Sequence, residues 1–455
     1  MPRTSKSFRI GKVQAYLRGR TWYLCYHDNG RRRRPRVGPD REAARQLAAQ
    51  INAQLEVGAP AALTFEPIAI PSLRERWLAH HEQVLRSSVQ TIQRYRTATD
   101  HLLRFLEQHP ARHASRFYAC HAEEFVRHLR LIQVSPNGHR NTTKRPLMDK
   151  GLRYILECCR ALFNFAARQR HLSPYAENPF RVLEVDRVPI EEVRPIVLFT
   201  AGQEKAFLET CDDWQFPLFL TLMLTGVRPG ELCHLLLPDD LDLGTRWLRV
   251  RNKPRLGWQV KTRNEREIPL VPVLAEVLRI HVGDRHTGPL FRRRSWSGHR
   301  DLGFETSSLP ALEKELSRRV AERQTKTGQP VSRVDRLRLA RRLWLELGTV
   351  KEEYVRLEFM RLTKAVGLPS CTAPKLLRHG FATALQEGGV DPLIRNLLMG
   401  HAALAERTPG HGLGMTAVYT HCRPETCRRQ LEATFAGWPG VLVAQSWVAH
   451  HQGAK

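Results

Sequence analysis

Apolar residues recur along this chain with two rhythms, and the change of rhythm divides it. Near the start, VQAYL (13–17) and TWYLCY (21–26) are short apolar runs split by Arg-Gly-Arg, which predicts strand, turn, strand. His27 to Gly30 supplies a second turn, with Gly30 suited to positive φ, and RRRRPRVG (31–38) predicts a third strand that Pro35 marks as an edge. After Asp40, a good N-cap, Ala43, Ala44, Leu47, Ala48, Ile51 and Leu55 repeat at helical spacing. The expected unit is a three-stranded sheet backed by one helix.

A Pro/Ala/Gly-bearing stretch (57–71) reads as a linker, and the rhythm then becomes helical. Leu73, Trp77 and Leu78 begin one helix, and Ile92, Tyr95, Leu102, Leu103 and Leu106 mark a second. Phe125, Val126 and Leu129 mark a short third, and Ile155, Leu156, Leu162, Phe163, Phe165 and Ala166 a long fourth. VDRVPIEEVRP (185–195) reads as another linker. Beyond it, GQEKAFLETC and PLFLTLMLTG are helical, RWLRV (246–250) and WQVK (258–261) look like paired strands, and REIPLVP (266–272) looks like a third. Residues 310–365 are helical and Arg/Leu-rich, with turns expected at Gly328 and Gly348. The expected fold class is multidomain, mainly α with small β elements.

Composition sharpens this. A chain of 455 residues with 42% hydrophobic and 26% charged residues is globular and exceeds one ordinary core. No apolar run is long enough to span a bilayer, and MPRTSKSFRIGK lacks a secretory apolar stretch, so a cytoplasmic protein is expected. Nine scattered cysteines show no zinc-ligand spacing and read as free thiols. The net charge of +27 calls for a polyanion, nucleic acid before anionic membrane. Residues 1–60 alone hold 13 Lys and Arg against 4 Asp and Glu.

Four stretches carry candidate chemistry. In LTGVRPGEL (224–232), Gly226 permits a tight turn, and Arg228 projects from a helix start where free amides also favour an anion, with Glu231 placed to orient its guanidinium. Lys261 follows the WQV run and precedes a polar turn, from which a lysine can swing into a groove. Lys375, Arg378 and His379 share one helical face, Gly388-Gly389 ends that helix, and DPLIRNLLMG delivers His401 just past a second. Tyr419 follows 18 residues later. Taken singly, each has a bland reading: a surface arginine, a solvated turn lysine, an amphipathic helix pair and a packing tyrosine.

Taken together, LTGVRPGEL, VKTRNEREIPL, KLLRHGFATAL, LLMGH and VYTH, in this order, resemble the motifs of the tyrosine recombinase family, also called the phage integrase family. The resemblance covers roughly residues 195–435 and implies an α+β tyrosine-recombinase catalytic domain. It makes residues 68–182 a helical core-binding (SAM-like) domain and residues 1–60 similar to the sheet modules that bind arm-type DNA. The catalytic domain would span 190–438, with an insertion around 290–365, and 439–455 would be a C-terminal tail. The resemblance gives catalytic roles to Arg228, Lys261, Arg378, His401 and the nucleophile Tyr419. Lys375 stands where the family usually has histidine. Arg18, Arg20, Arg31, Arg32, Arg33, Arg34 and Arg36 are the candidate DNA contacts of the N-terminal module.

The activity implied is site-specific cleavage and rejoining of double-stranded DNA through a 3′-phosphotyrosyl intermediate, without metal, ATP or other cofactor. The implied partners are a tetramer of the chain on two paired sites, a C-terminal helix from 422–438 docked on a neighbour, and accessory DNA-bending or directionality proteins. The expected location is the prokaryotic cytoplasm, at the nucleoid. Two neighbouring readings stay open here: a type IB topoisomerase-like relaxing enzyme, and a catalytically silent DNA-binding protein. A third, a metal-dependent nuclease or transposase, would draw on Asp239, Asp240 and Asp242.

Overall fold

The computed structural model describes residues 6–28, 30–59, 61, 63, 65–135, 141–173, 176–187, 189–190, 197–296, 308–401 and 422–453. The chain divides into two compact units, Met1–Arg194 and Pro195–Lys455.

In the first unit, β1 (Ser7–Ile10), β2 (Val13–Arg18), β3 (Thr21–Asp28) and β4 (Arg31–Arg33) form an antiparallel path, and β5 (Arg36–Gly38) also pairs with β3. The expected three strands thus become five. Ser7–Ile10 adds an edge, and the predicted third strand is broken at Arg34-Pro35, because proline has no N–H to give the ladder. Helix α1 (Arg41–Glu56) is capped by Asp40, whose carboxylate accepts from the Glu42 and Ala43 amides. It buries Ala44, Ala48 and Ile51 with Val13, Ala15, Trp22, Leu24 and Tyr26 of the sheet. Tyr16 and Tyr23 are cross-strand neighbours with rings stacked 5.8 Å apart, and Arg36 lies opposite Tyr23 in register.

The four helices read from periodicity all form: α2 (Ile70–Ala79), α3 (Val89–Glu107), α4 (Ala119–Leu131) and α5 (Asp149–Arg168). They enclose a separate core that includes Trp77, Leu102, Phe125, Leu156, Phe163 and Phe180. Arg74 is buried here, donating to the Thr99 hydroxyl at 3.0 Å and pairing with Asp100, so its charge is answered within the bundle.

In the second unit, α6 (Ala201–Glu209) and the wholly buried α7 (Gln215–Thr225) lead to the single-turn α8 (Pro229–Leu232). A three-stranded antiparallel sheet follows, of β6 (Leu241–Asp242), β7 (Trp247–Val250) and β8 (Arg266–Pro269), with β7 central. The expected strand at WQVK does not form. Val260 N–H donates to Asn252 Oδ1 at 2.9 Å, and Trp258 stacks on His234 with ring centroids 4.8 Å apart. Backbone pairing of this segment is confined to one antiparallel bridge, Trp258 with Lys253, and β7 pairs instead with β8, Val250 opposite Arg266.

Helix α9 (Pro272–Val282) precedes the helical hairpin α10 (Leu309–Thr327) and α11 (Arg333–Glu346). The hairpin lies in the region expected to be an insertion. It has its own small core of Leu312, Leu316, Leu343 and Trp344, closed over Leu236 and Leu256, and Trp344 donates to the Leu256 carbonyl at 3.1 Å. Then come α12 (Glu352–Ala365), α13 (Lys375–Glu387), α14 (Pro392–Met399), α15 (Pro424–Phe435) and α16 (Pro439–Gly453).

Both C-terminal segments form helices packed on their own unit. Helix α15, from the segment expected to dock on a neighbour, buries Cys427, Leu431 and Phe435 in the core of its own unit, with Phe435 stacked on Phe381. Residues 439–453 are a packed helix rather than a tail: Ala444 is buried, Trp447 stacks on Phe216, and His451 approaches Asp213 at 3.1 Å. Most apolar residues of both helices, Leu442 excepted, find their cover within the chain, which periodicity cannot reveal. No helix among the described residues is long and apolar enough to cross a membrane.

Candidate active site

Helix α7 must stop sharply for Arg228 to emerge from the core. Gly226 does this with φ of 59°, a left-handed cap open to glycine at little cost. A Cβ there would lie 2.2 Å from the Phe381 ring. Gly226→Ala therefore combines left-handed strain of about 1–2 kcal/mol with overpacking of about 1–3 kcal/mol. The expected result is a loss of roughly 2–5 kcal/mol of stability, read by calorimetry or denaturant titration; an unchanged midpoint would refute this reading of the turn.

Arg228 is the N-cap of α8, and Pro229 opens the helix. Glu231 closes a loop back onto it: its carboxylate accepts the Arg228 amide at 2.9 Å and the Arg228 guanidinium at 2.7 Å. The predicted orienting role of Glu231 is thus matched by a direct ion pair. Arg228 keeps partial exposure, 23% of its side chain, whereas Glu231 is buried at 3%.

Arg378 sits one turn into α13 and is buried. Its guanidinium donates to the Gly226 carbonyl and to the Met399 carbonyl, joining the turn after α7 to the end of α14. Burial, then the nearby Arg228 and Arg266, push its pKa down to about 10, so it remains a cation at neutral pH. Lys375 is exposed on the first turn of the same helix, and His379 is half-buried beside it.

Gly400, at φ of 61°, caps α14 and turns the chain so that His401 is exposed beyond the helix end. The His401 amide donates to the Asn396 carbonyl at 3.0 Å. Burial lowers the His401 pKa, and so do Arg378, Arg228 and Arg266. A lowered folded value means the neutral ring persists to more acid pH than in a free histidine. In an NMR titration the His401 midpoint is expected below 6.5, and Arg378→Gln should move it upward by removing one repelling charge. A midpoint at or above 6.5 in the parent would contradict the cationic surroundings.

Lys261 is exposed on the loop between β7 and β8. Its neighbour Thr262 donates to the Gly400 carbonyl at 3.1 Å, which ties this loop to the His401 turn across 138 residues of sequence. Arg228, Arg378, His401 and the Lys261 loop are therefore brought together; Lys375 lies one turn from Arg378. Tyr419 lies outside the described residues.

The sequence reading missed Arg266 as a site residue. Its side chain is fully buried, with Nη2 at 2.6 Å and Nη1 at 3.3 Å from the two Glu231 oxygens, and Nε donating to the Leu398 carbonyl at 2.8 Å. A signal was present in REIPL. Arg266 falls on the same strand face as Ile268, and an arginine on an inward apolar face requires a buried partner.

The three aspartates expected for a metal reading have partners within the chain. Asp240 is buried, with Lys253 Nζ at 2.7 Å and the Leu236 amide at 2.8 Å. Asp242 accepts from the Thr245 amide at 2.9 Å, and Asp239 from the Leu309 amide at 3.4 Å. In the N-terminal module, Arg18, Arg20, Arg31, Arg32, Arg34 and Arg36 are exposed and Arg33 is half-buried.

The chain matches the model of the phage integrase family over residues 198–425, half of its length. Comparison with curated proteins returned no match. Among solved structures, it is similar to the Tn1549 transposon integrase in complex with transposon right end DNA. That match has 20% identity and a TM-score of 0.48, and covers 80% of this chain and 99% of that one. A lambda integrase dimer bound to a COC′ core site is 16% identical with a TM-score of 0.43, covering 86% of this chain and 92% of that one. The integrase from mycobacterium phage Brujita is 15% identical with a TM-score of 0.31, over 80% of this chain and 92% of that one.

Proposed function

The chain belongs to the phage integrase family, and from that premise we propose that it cleaves and rejoins duplex DNA at specific sites through a 3′-phosphotyrosyl intermediate on Tyr419. The observation that carries this reading is the junction made by Arg378, whose guanidinium links the Gly226 and Met399 carbonyls and so holds the segments of Arg228 and His401 together.

Attack on a phosphodiester loads negative charge onto two non-bridging oxygens. Two guanidiniums in one pocket answer that charge with forked, charge-assisted hydrogen bonds. Arg228 and Arg378 take this role. The Tyr419 oxygen attacks phosphorus, the bond to the 5′ oxygen breaks, and Lys261 gives that oxygen its proton. His401, whose pKa is lowered by burial and then by the cations around it, has in its neutral form a lone pair for the phenolic proton. Lys375, on the same helix as Arg378, is the other candidate acceptor. A 5′ hydroxyl from a partner strand then reverses the reaction, so the energy of the broken bond is kept and ATP is unnecessary. The cationic pocket supplies the charge for which other phosphoryl-transfer enzymes use a metal.

The exposed arginines of the N-terminal module, with the stacked Tyr16 and Tyr23 beside Arg36, support a second DNA contact outside the cleavage site. Assembly as a tetramer on two paired sites, with accessory DNA-bending proteins, belongs to the same proposal.

The test is a nicked suicide duplex carrying the attachment site, incubated with the full chain in a chelator. A protein–DNA adduct resistant to denaturant is expected. Its absence would leave a silent DNA-binding protein, and its appearance only on addition of a divalent metal would favour the metal-dependent reading. Relaxation of plasmids lacking any attachment site would instead favour a topoisomerase.

A further inference from the structure

We propose that Arg266 is a positioning residue for the cleavage step, and that it acts by keeping Glu231 from neutralising Arg228. The inference rests on the recombinase reading above. Arg266 opens β8 and therefore ends the loop that carries Lys261. Its guanidinium clasps Glu231 on α8 and its Nε holds the Leu398 carbonyl on α14, two residues before the turn to His401. A single buried group thus touches the segments that present Lys261, Arg228 and His401. Gly400 leaves it room, since a Cβ there would lie 2.9 Å from Arg266 Nη1.

The charges explain why an arginine stands here. Glu231 is buried and accepts from Arg228 and Arg266 at once. Burial works to raise its pKa, but the bonds and charge of Arg266, followed by those of Arg228, outweigh it and hold the carboxyl below its usual range. It is therefore an anion inside a site that must attract one. With Arg266 present, its charge is shared between two guanidiniums, and Arg228 retains positive potential toward a phosphate. Without Arg266, Glu231 would face Arg228 alone, drawing that guanidinium inward and cancelling its charge.

The experiment compares the full chain with Arg266→Met, Arg266→Lys and the double variant Glu231→Gln/Arg266→Met, measuring single-turnover cleavage of the nicked duplex and its Kd. Arg266→Met is expected to cleave about 100-fold more slowly, as when one transition-state donor is lost, with Kd changed less than about threefold. The double variant should recover at least about tenfold over Arg266→Met, because the uncompensated anion is gone. Arg266→Lys keeps the charge but loses the fork, and should fall between parent and Arg266→Met.

Parent-like cleavage by Arg266→Met, or a double variant no faster than it, overturns the proposal. Should Arg266→Met fail to melt cooperatively, Arg266→Lys decides: parent-like cleavage by it overturns the proposal, and slower cleavage at an unchanged melting midpoint supports it. The His401 midpoint supplies a readout independent of cleavage. Arg266 faces that ring with Arg378 and Arg228, so the midpoint should rise when Arg266 is replaced by methionine. If the parent itself forms no adduct, the recombinase reading fails, whereas this proposal fails on the comparison of variants with a parent that does cleave.

Discussion

Tyr419→Phe is expected to bind its DNA site like the parent and to form no covalent adduct. The substitution removes one oxygen and leaves the ring, so the protein surface that grips DNA is unaltered. The Kd should stay within about twofold, whereas chemistry stops altogether, because phenylalanine has no atom able to form the ester. A tyrosine hydroxyl has an ordinary pKa of about 10 and so requires a proton acceptor and a cationic field. In the proposed mechanism Arg228 and Arg378 supply the field, and His401, whose pKa is lowered by burial and by the nearby arginines, is the acceptor. Gel electrophoresis after denaturation of the nicked-duplex reaction reads the outcome. A covalent complex formed by Tyr419→Phe would remove Tyr419 from the nucleophile's role and reopen the search among the other tyrosines.

Lys261→Ala is expected to slow cleavage by about 10²–10⁴-fold, the range for loss of a positioned general acid. A substrate with a 5′-bridging phosphorothioate should restore most of that rate, since sulfur departs without a proton. Arg378→Gln should gain nothing from the sulfur, because its defect is charge stabilisation of the non-bridging oxygens. The contrast separates proton donation from electrostatics within one pocket. Thr262 holds the loop of Lys261 to the Gly400 carbonyl, so the lysine has a defined origin from which to reach the leaving oxygen. Failure of sulfur to rescue Lys261→Ala would assign the acid to another residue and leave Lys261 as a phosphate contact.

Helices were the most legible part of this chain. Each buries a stripe set by a 3.6-residue period, as in α5, where Leu152, Ile155, Leu156, Cys159, Leu162, Phe163 and Ala166 all turn inward. Strands were less legible. WQVK has the composition of a strand, but Trp258 is taken by His234, Lys253 and the loop around them. Pro35 was read as an edge marker; it does stand at the edge beside β3, but it also divides one expected strand into two. Helix α16 was hidden because its apolar residues match no single stripe; it becomes intelligible only beside Phe216.

The candidate site shows the same division. Arg228, Lys261, Arg378 and His401 were legible because they stand in local motifs whose glycines and prolines dictate turns: Gly226 before Arg228, and Gly400 before His401. Residue types and their order are properties of the covalent chain, and they sufficed to show the resemblance to the phage integrase family. Arg266 and its shared hold on Glu231 were not legible, because the pair is separated by 35 residues and neither partner signals the other. Which buried anion answers which cation depends on distance and desolvation, and both exist only after segments remote in sequence have closed on one another.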